Sequence, residues 1–253
     1  MIPSTNQDLT AFYEAPDGDR IAYRHIRGQG PTVLWLGGFL SDMTGSKIAC
    51  LNEVAQERNW DFLCFDYFAH GETGGNFDEA RVGRWFNNAL AVAENLTTGP
   101  LAGVGSSMGG HILALLIRRG FTRIKAAGFL APAADFATAL ILPSLSPEQR
   151  RELDVSGVYM MPGYDRPVAL SRSFFAEALL HEVLNAPIAF DGAVRILHGM
   201  RDDLVPWQHG LRLLETFTTN DAQLRLIKDG DHRLSRAQDL DLLVEMVAEL
   251  RLG

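Results

Sequence analysis

Three short segments of this chain carry side chains that together could turn a hydroxyl into a nucleophile. Gly105-Ser106-Ser107-Met108-Gly109 matches the pattern G-x-S-x-G, directly after an apolar run with strand character and at the start of a stretch with helical periodicity. A tight strand-to-helix turn holds its central residue in a strained conformation, and small neighbours on both sides keep bulk away from it. Ser107 is the serine that fits; Ser106 is one position off. A helix N-terminus beside the hydroxyl also offers free backbone N–H groups and the positive end of a dipole where a tetrahedral oxyanion would form. The Met108 N–H is the expected first donor. The second is expected from Leu36-Gly37-Gly38-Phe39-Leu40, with the Phe39 N–H preferred and Leu40 the nearest competitor.

A serine hydroxyl is a poor nucleophile at its own pKa, so it needs a base that titrates near neutrality, which points to histidine. The chain has seven. His25, His70, His111, His181 and His209 fall on a hairpin, a loop after a strand, or helices, and are read as structural or exposed. His232 follows the last expected strand on the turn Lys228-Asp229-Gly230-Asp231-His232, from which its ring can project over the sheet edge. His198 also ends a strand, but its segment, His198-Gly199-Met200-Arg201-Asp202-Asp203-Leu204-Val205-Pro206, supplies the acid instead. The spacing G-x-x-D-x-x-V-P selects Asp202, with Asp203 as the fallback. A buried aspartate bonded to the histidine fixes its tautomer and stabilises the imidazolium formed during reaction.

Such a constellation needs elements that deliver it to one place. Apolar runs at Thr32 to Leu36, Asp61 to Phe65, Leu101 to Val104, Ala126 to Leu130, Val194 to Leu197 and Leu224 to Ile227 read as strands. Between them, Ser46 to Arg58, Asp78 to Asn95, Met108 to Arg119, Trp207 to Phe217 and Ala237 to Leu250 carry apolar residues at helical spacing. The alternation predicts an α/β fold with a mostly parallel central sheet and helices on both faces. Leu9 to Arg27, broken by Pro16-Asp17-Gly18-Asp19, predicts an antiparallel hairpin at the N-terminal edge.

Residues 132–187 break the rhythm. They are too many for a simple connection and too few for a separate domain, so residues 1–253 are expected to form a single domain with a small lid inserted at 132–187. Helix-like segments are expected near Ser146 to Leu153 and Ser171 to Leu184. Leu140, Ile141, Leu142, Val158, Tyr159, Met160 and Met161 either line an acyl pocket or pack the lid onto the body.

A net charge of −8 argues against a nucleic-acid partner, which demands clustered cations. The Arg118-Arg119 pair sits near a helix end, where cations complement the dipole. There is no H-E-x-x-H or C-x-x-C for a metal, and Gly103-Val104-Gly105 has Met108 where a dinucleotide loop requires glycine. No cofactor is expected. Cys50 and Cys64 are read as buried thiols. No apolar run reaches the length that spans a bilayer, and Met1 to Leu9 shows neither a secretory nor a transit pattern, which predicts a cytoplasmic protein.

Taken together the segments resemble the α/β-hydrolase superfamily over almost the whole chain, from near Phe12 to the last helix. The order 107, 202, 232 matches that family's order of nucleophile, acid and histidine. Phe65-Asp66-Tyr67, Gly105-Ser106-Ser107-Met108-Gly109-Gly110, Gly157-Val158-Tyr159, the 198–207 segment and Asp231-His232-Arg233 resemble the mitochondrial abhydrolase subgroup known for palmitoyl-protein thioesterase and acyl-glucuronide esterase activity. The resemblance implies hydrolysis of a small-molecule carboxylic ester or acyl-thioester through an acyl-enzyme, with no cofactor. Two departures stand out: Leu36-Gly37-Gly38 replaces the His-Gly of many members, and no transit segment is apparent. Carbon–carbon bond hydrolysis, haloperoxidase-like chemistry, or an inactive ligand-binding homologue are the alternatives the same fold admits.

Overall fold

The computed structural model describes residues 10–163 and 167–252. The reading of Met1 to Leu9 as free of a targeting pattern lies outside the described residues. The chain runs through β1 (Ala11–Glu14), β2 (Arg20–Ile26), β3 (Gln29–Leu36), α1 (Ser46–Arg58), β4 (Trp60–Phe65), α2 (Val82–Asn95), β5 (Leu101–Ser106), α3 (Met108–Arg118) and β6 (Ile124–Leu130). A π-helical turn, Phe136–Ile141, leads into α4 (Leu142–Ser144), α5 (Pro147–Ser156), β7 (Val158–Met161), β8 (Val168–Ser171) and α6 (Arg172–Ala178). The chain then returns through β9 (Ala193–Gly199), α7 (Trp207–Thr216), β10 (Ala222–Ile227) and α8 (Ala237–Leu250).

Eight strands form one sheet in the order β1-β2-β4-β3-β5-β6-β9-β10. β2 is antiparallel to β1 and β4, and every other pairing is parallel. Alternation of side chains across each strand sends Leu34 and Leu36 to the face covered by α2 and α3, and Val33 and Trp35 to the face covered by α1 and α8. Because the central strands are parallel, β3, β5, β9 and β10 end on one edge. Four loops therefore meet there: 37–45, 107, 200–206 and 228–236.

The differences from the expected elements have local causes. α2 begins at Val82 rather than Asp78 because Phe77–Glu79 forms a separate 3-10 turn and Ala80 is extended. The expected helix over Ser171 to Leu184 is cut at Ala178, followed by a 3-10 turn at Leu179–His181. Beyond it the Val183 and Leu184 N–H groups donate to the Asp135 carboxylate at 2.7 and 3.0 Å, which takes them out of any helix. The β7–β8 hairpin, antiparallel, was not expected. α5 matches its forecast: Ser146 and Gln149 make a reciprocal capping box and Gly157, at φ 80°, ends the helix.

The segment between β6 and β9 rests on the body through named contacts. Arg118 donates to the carbonyls of Val183 and Ala186, and Arg119 to that of Leu180, so the basic pair holds this segment down. Tyr159 is buried in the main core, and Leu140, Ile141, Leu142 and Met161 pack against it, whereas Met160 is half exposed. Cys64 is buried on β4, its thiol pushed up to about 12 by burial, while Cys50 on α1 is only half-buried.

Candidate active site

β5 ends at Ser106, and the chain turns into α3 through Ser107, whose backbone sits at φ 53° and ψ −118°. An L-residue adopts that conformation only when its surroundings impose it. They do so here through backbone bonds: the Ser107 N–H donates to Leu130 O at 2.9 Å, and Ser107 O accepts from Gly110 and Ala133. The two flanking glycines are required by space. A Cβ at Gly105 would lie 2.4 Å from Gly109 O, and one at Gly109 would lie 2.0 Å from Leu36 O.

Ser107 Oγ lies 3.1 Å from His232 Nε2, and His232 Nδ1 lies 2.8 Å from Asp202 Oδ2. The structure thus brings together the three residues selected by sequence. Asp203, the fallback, points its side chain into solvent. Asp202 Oδ1 accepts from the N–H groups of Leu204 and Val205 at 3.0 and 2.8 Å, and its carboxylate is fully buried. Burial alone would raise its pKa, but hydrogen bonds from His198, His232 and the Val205 N–H together hold it well below the usual carboxylate range. With an ionised Asp202 accepting the Nδ1 proton, His232 Nε2 faces Ser107 with a lone pair.

The two backbone donors named from sequence flank the serine. Met108 opens α3, so its N–H has no carbonyl one turn back within the helix. On the other side the Leu40 N–H, the competitor, donates to His70 Nε2 at 3.0 Å, while His70 Nδ1 donates to Phe68 O at 3.0 Å. The bond to His70 commits the Leu40 N–H elsewhere, and Phe39 lines the cleft beside Ser107. Burial lowers the pKa of the His70 imidazole, consistent with a neutral ring that accepts at Nε2. Reading His70 as merely structural missed this contact. The signal lay in the pairing of β3 with β4, which places the loops after them side by side.

A cleft of ≈ 410 Å³ opens at Ser107 and His232. Its lining includes Phe39, Ser41, Asp42, Ser46, Lys47 and Ser235, from the loop after β3, the start of α1 and the turn after His232. None of the seven apolar residues considered for an acyl pocket lines it: Tyr159 is in the core, Leu140, Ile141, Leu142 and Met161 pack against it, and Met160 is half exposed. Phe39 also meets Phe77, Trp85 and Phe136, none of which lines the cleft, at centroid distances of 5.5 to 5.8 Å. Lys47, not singled out by sequence, donates from Nζ to Arg233 O at 2.5 Å, and burial lowers its ammonium to about 8. Among the described residues no group of three or more His, Cys, Asp or Glu side chains comes together as a metal site, and no helix is long and apolar enough to cross a membrane.

Known proteins resemble the chain in sequence and in fold. No protein-family model matches the chain. The bovine protein named "Palmitoyl-protein thioesterase ABHD10, mitochondrial" is 31% identical over 95% of this chain and 79% of its own length. The solved structure of mouse α/β hydrolase domain-containing protein 10 superposes with a TM-score of 0.88 at 30% identity, over 96% of this chain and 98% of that one. Est1E from Butyrivibrio proteoclasticus, 22% identical with a TM-score of 0.79 over 96% and 98% of the two chains, shares the fold. The bovine, human and mouse relatives are named as mitochondrial proteins, which overturns the cytoplasmic location expected from the N-terminal residues. The chain belongs to the α/β-hydrolase family, in the abhydrolase group that includes ABHD10.

Proposed function

We propose that the protein is a serine hydrolase that cleaves a carboxylic ester or acyl-thioester through an acyl-enzyme intermediate. The observation that carries this reading is the continuous contact from Ser107 Oγ through His232 to Asp202, at 3.1 and 2.8 Å, on a strained residue at a helix N-terminus. Ser107 Oγ attacks the acyl carbon as its proton passes to His232 Nε2. The developing oxyanion accepts from the Phe39 and Met108 N–H groups, which are fixed before the reaction and so need no reorganisation. His232 then gives its proton to the leaving oxygen or sulfur. A water enters, loses its proton to His232 and attacks the acyl carbon, and the acid departs as Ser107 recovers its proton.

The cleft at the serine has serine, aspartate and lysine side chains on its walls, which suits a polar leaving group, whereas Phe77, Trp85 and Phe136 around Phe39 do not line it. We read residues 132–187 as a lid folded onto a single α/β-hydrolase domain. The names of the ABHD10 relatives make an acyl-thioester the first substrate to try. Reaction with a fluorophosphonate probe, compared between wild type and Ser107→Ala, tests the nucleophile. Labelling of wild type alone is expected, and equal labelling of the two sinks the assignment. A series of p-nitrophenyl esters and matching thioesters from C2 to C16 then sets the leaving-group preference.

A further inference from the structure

A second histidine touches the acid. His198, at the end of β9, is wholly buried. Its Nε2 lies 3.2 Å from Asp202 Oδ2, the same oxygen that receives His232 Nδ1, and 3.0 Å from Val205 O. Two acceptors face one ring nitrogen, so that nitrogen must carry the proton and share it between them. The other nitrogen, Nδ1, has no hydrogen-bond partner among the described residues. What faces it is Gly210 of α7, where a Cβ would stand 2.5 Å away. With a bare nitrogen against a glycine, the ring carries its proton on Nε2, because a proton on Nδ1 would have no acceptor.

The contacts close a ring. Val205 offers its N–H to Asp202 Oδ1 and its carbonyl to His198, so backbone and histidine grip both carboxylate oxygens. The next titratable group on α7, His209, turns away and bonds Ala134 O. The charged and titratable groups around His198 are thus Asp202, His232 behind it, and His209, whose ring is turned to Ala134 O.

We propose that His198 is a positioning residue for the hydrolytic reaction: its Nε2–H holds the Asp202 carboxylate in line with His232 and draws charge from the oxygen that His232 shares. The inference rests on the serine-hydrolase reading. It assigns a task to a strand-end histidine that is neither nucleophile, base nor acid. It also accounts for Gly210, since no other residue lets α7 approach the ring so closely.

The test compares His198→Leu, His198→Gln and Gly210→Ala with wild type on an ester that wild type turns over. His198→Leu deletes the donor, and His198→Gln restores an N–H at the distance of Nε2. Gly210→Ala pushes on the ring from outside the site. With His198→Leu, kcat is expected to fall about 10- to 50-fold with KM within twofold. The acid limb of the kcat/KM profile should move to higher pH, because a more negative Asp202 raises the basicity of His232. His198→Gln should recover most of both effects, and Gly210→Ala should reproduce them in milder form, which keeps the test alive if His198→Leu does not fold. A folded His198→Leu with unchanged kcat and acid limb overturns the proposal, as does equal impairment of Leu and Gln variants. Wild type that no fluorophosphonate labels removes the hydrolase reading itself, an outcome read independently of the His198 variants.

Discussion

The Leu40 N–H and the His70 Nε2 lone pair meet at 3.0 Å, and through that bond the loop after β4 holds the loop after β3. Leu40 sits at φ 57°, a conformation its own side chain does not favour, so the loop needs this anchor. His70→Leu removes the acceptor and strands a backbone donor, which costs about 1–3 kcal/mol. We expect kcat/KM on an acyl ester to fall roughly 10- to 100-fold, since the loop that carries Phe39, the proposed oxyanion donor, loses its anchor. Protonation acts in the same sense. His70 has a lowered folded pKa, so its contribution to stability is present above the ordinary histidine value and is lost as pH falls below it. Steady-state kinetics and thermal melts of the variant between pH 5 and 8 check both statements.

Asp202 and Asp203 are adjacent in sequence and opposite in environment, one carboxylate fully buried on His232 and the other in solvent. Asp202→Asn should lower kcat by about 10³- to 10⁴-fold, by presenting the wrong tautomer of His232 to Ser107. Asp203→Asn should stay within twofold of wild type. Equal losses in a side-by-side assay would place the acid elsewhere.

Gly109 packs against β3 with no room for a methyl group, since its Cβ would stand 2.0 Å from Leu36 O. Gly109→Ala therefore has to push α3 off the sheet. A loss of roughly 3 kcal/mol or more in urea unfolding is expected, at the severe end for single substitutions. Probe labelling of Ser107 should weaken in any protein that remains folded.

Asp66 gives the stability profile an unusual sign. Burial raises its carboxyl to about 6, although the N–H groups of Met43 and Glu72 pull in the other direction. A carboxyl with a raised folded pKa binds protons better in the native state, so its contribution is largest below pH 4 and shrinks as pH rises through about 6. Asp202 behaves in the opposite way, stabilising above its unfolded value and ceasing to do so as pH falls. Relative to Asp66→Asn, wild type should gain roughly 2–3 kcal/mol between pH 7 and pH 4. Denaturation series at both pH values measure it, and a flat difference sinks the assignment.

The hydrolase fold and the meeting of Ser107, Asp202 and His232 were legible because each residue ends a strand or its following turn, and strand ends announce themselves locally. His70 was not legible, since its task depends on β4 lying next to β3 in space. The β7–β8 hairpin hid in Val158–Met161, four residues whose apolar character fits a pocket lining as well as a strand. The early end of α6 was hidden for a different reason: the acceptor that takes the Val183 and Leu184 N–H groups, Asp135, lies 48 and 49 residues upstream. The location was misjudged because Met1 to Leu9 was weighed alone, without the relatives.

That same Asp135 joins the two mouths of a long excursion. Its carboxylate binds the returning chain at Val183 and Leu184 just where the outgoing chain leaves β6. Between those points the chain is pinned again, at Leu180 by Arg119 and at Glu177 by the N–H groups of Val82 and Gly83. Exchange at its exposed positions, such as Val155 and Met160, can then proceed without moving the strand ends that carry Ser107 and Asp202, so a descendant can change the outer face of the excursion while inheriting the machinery intact.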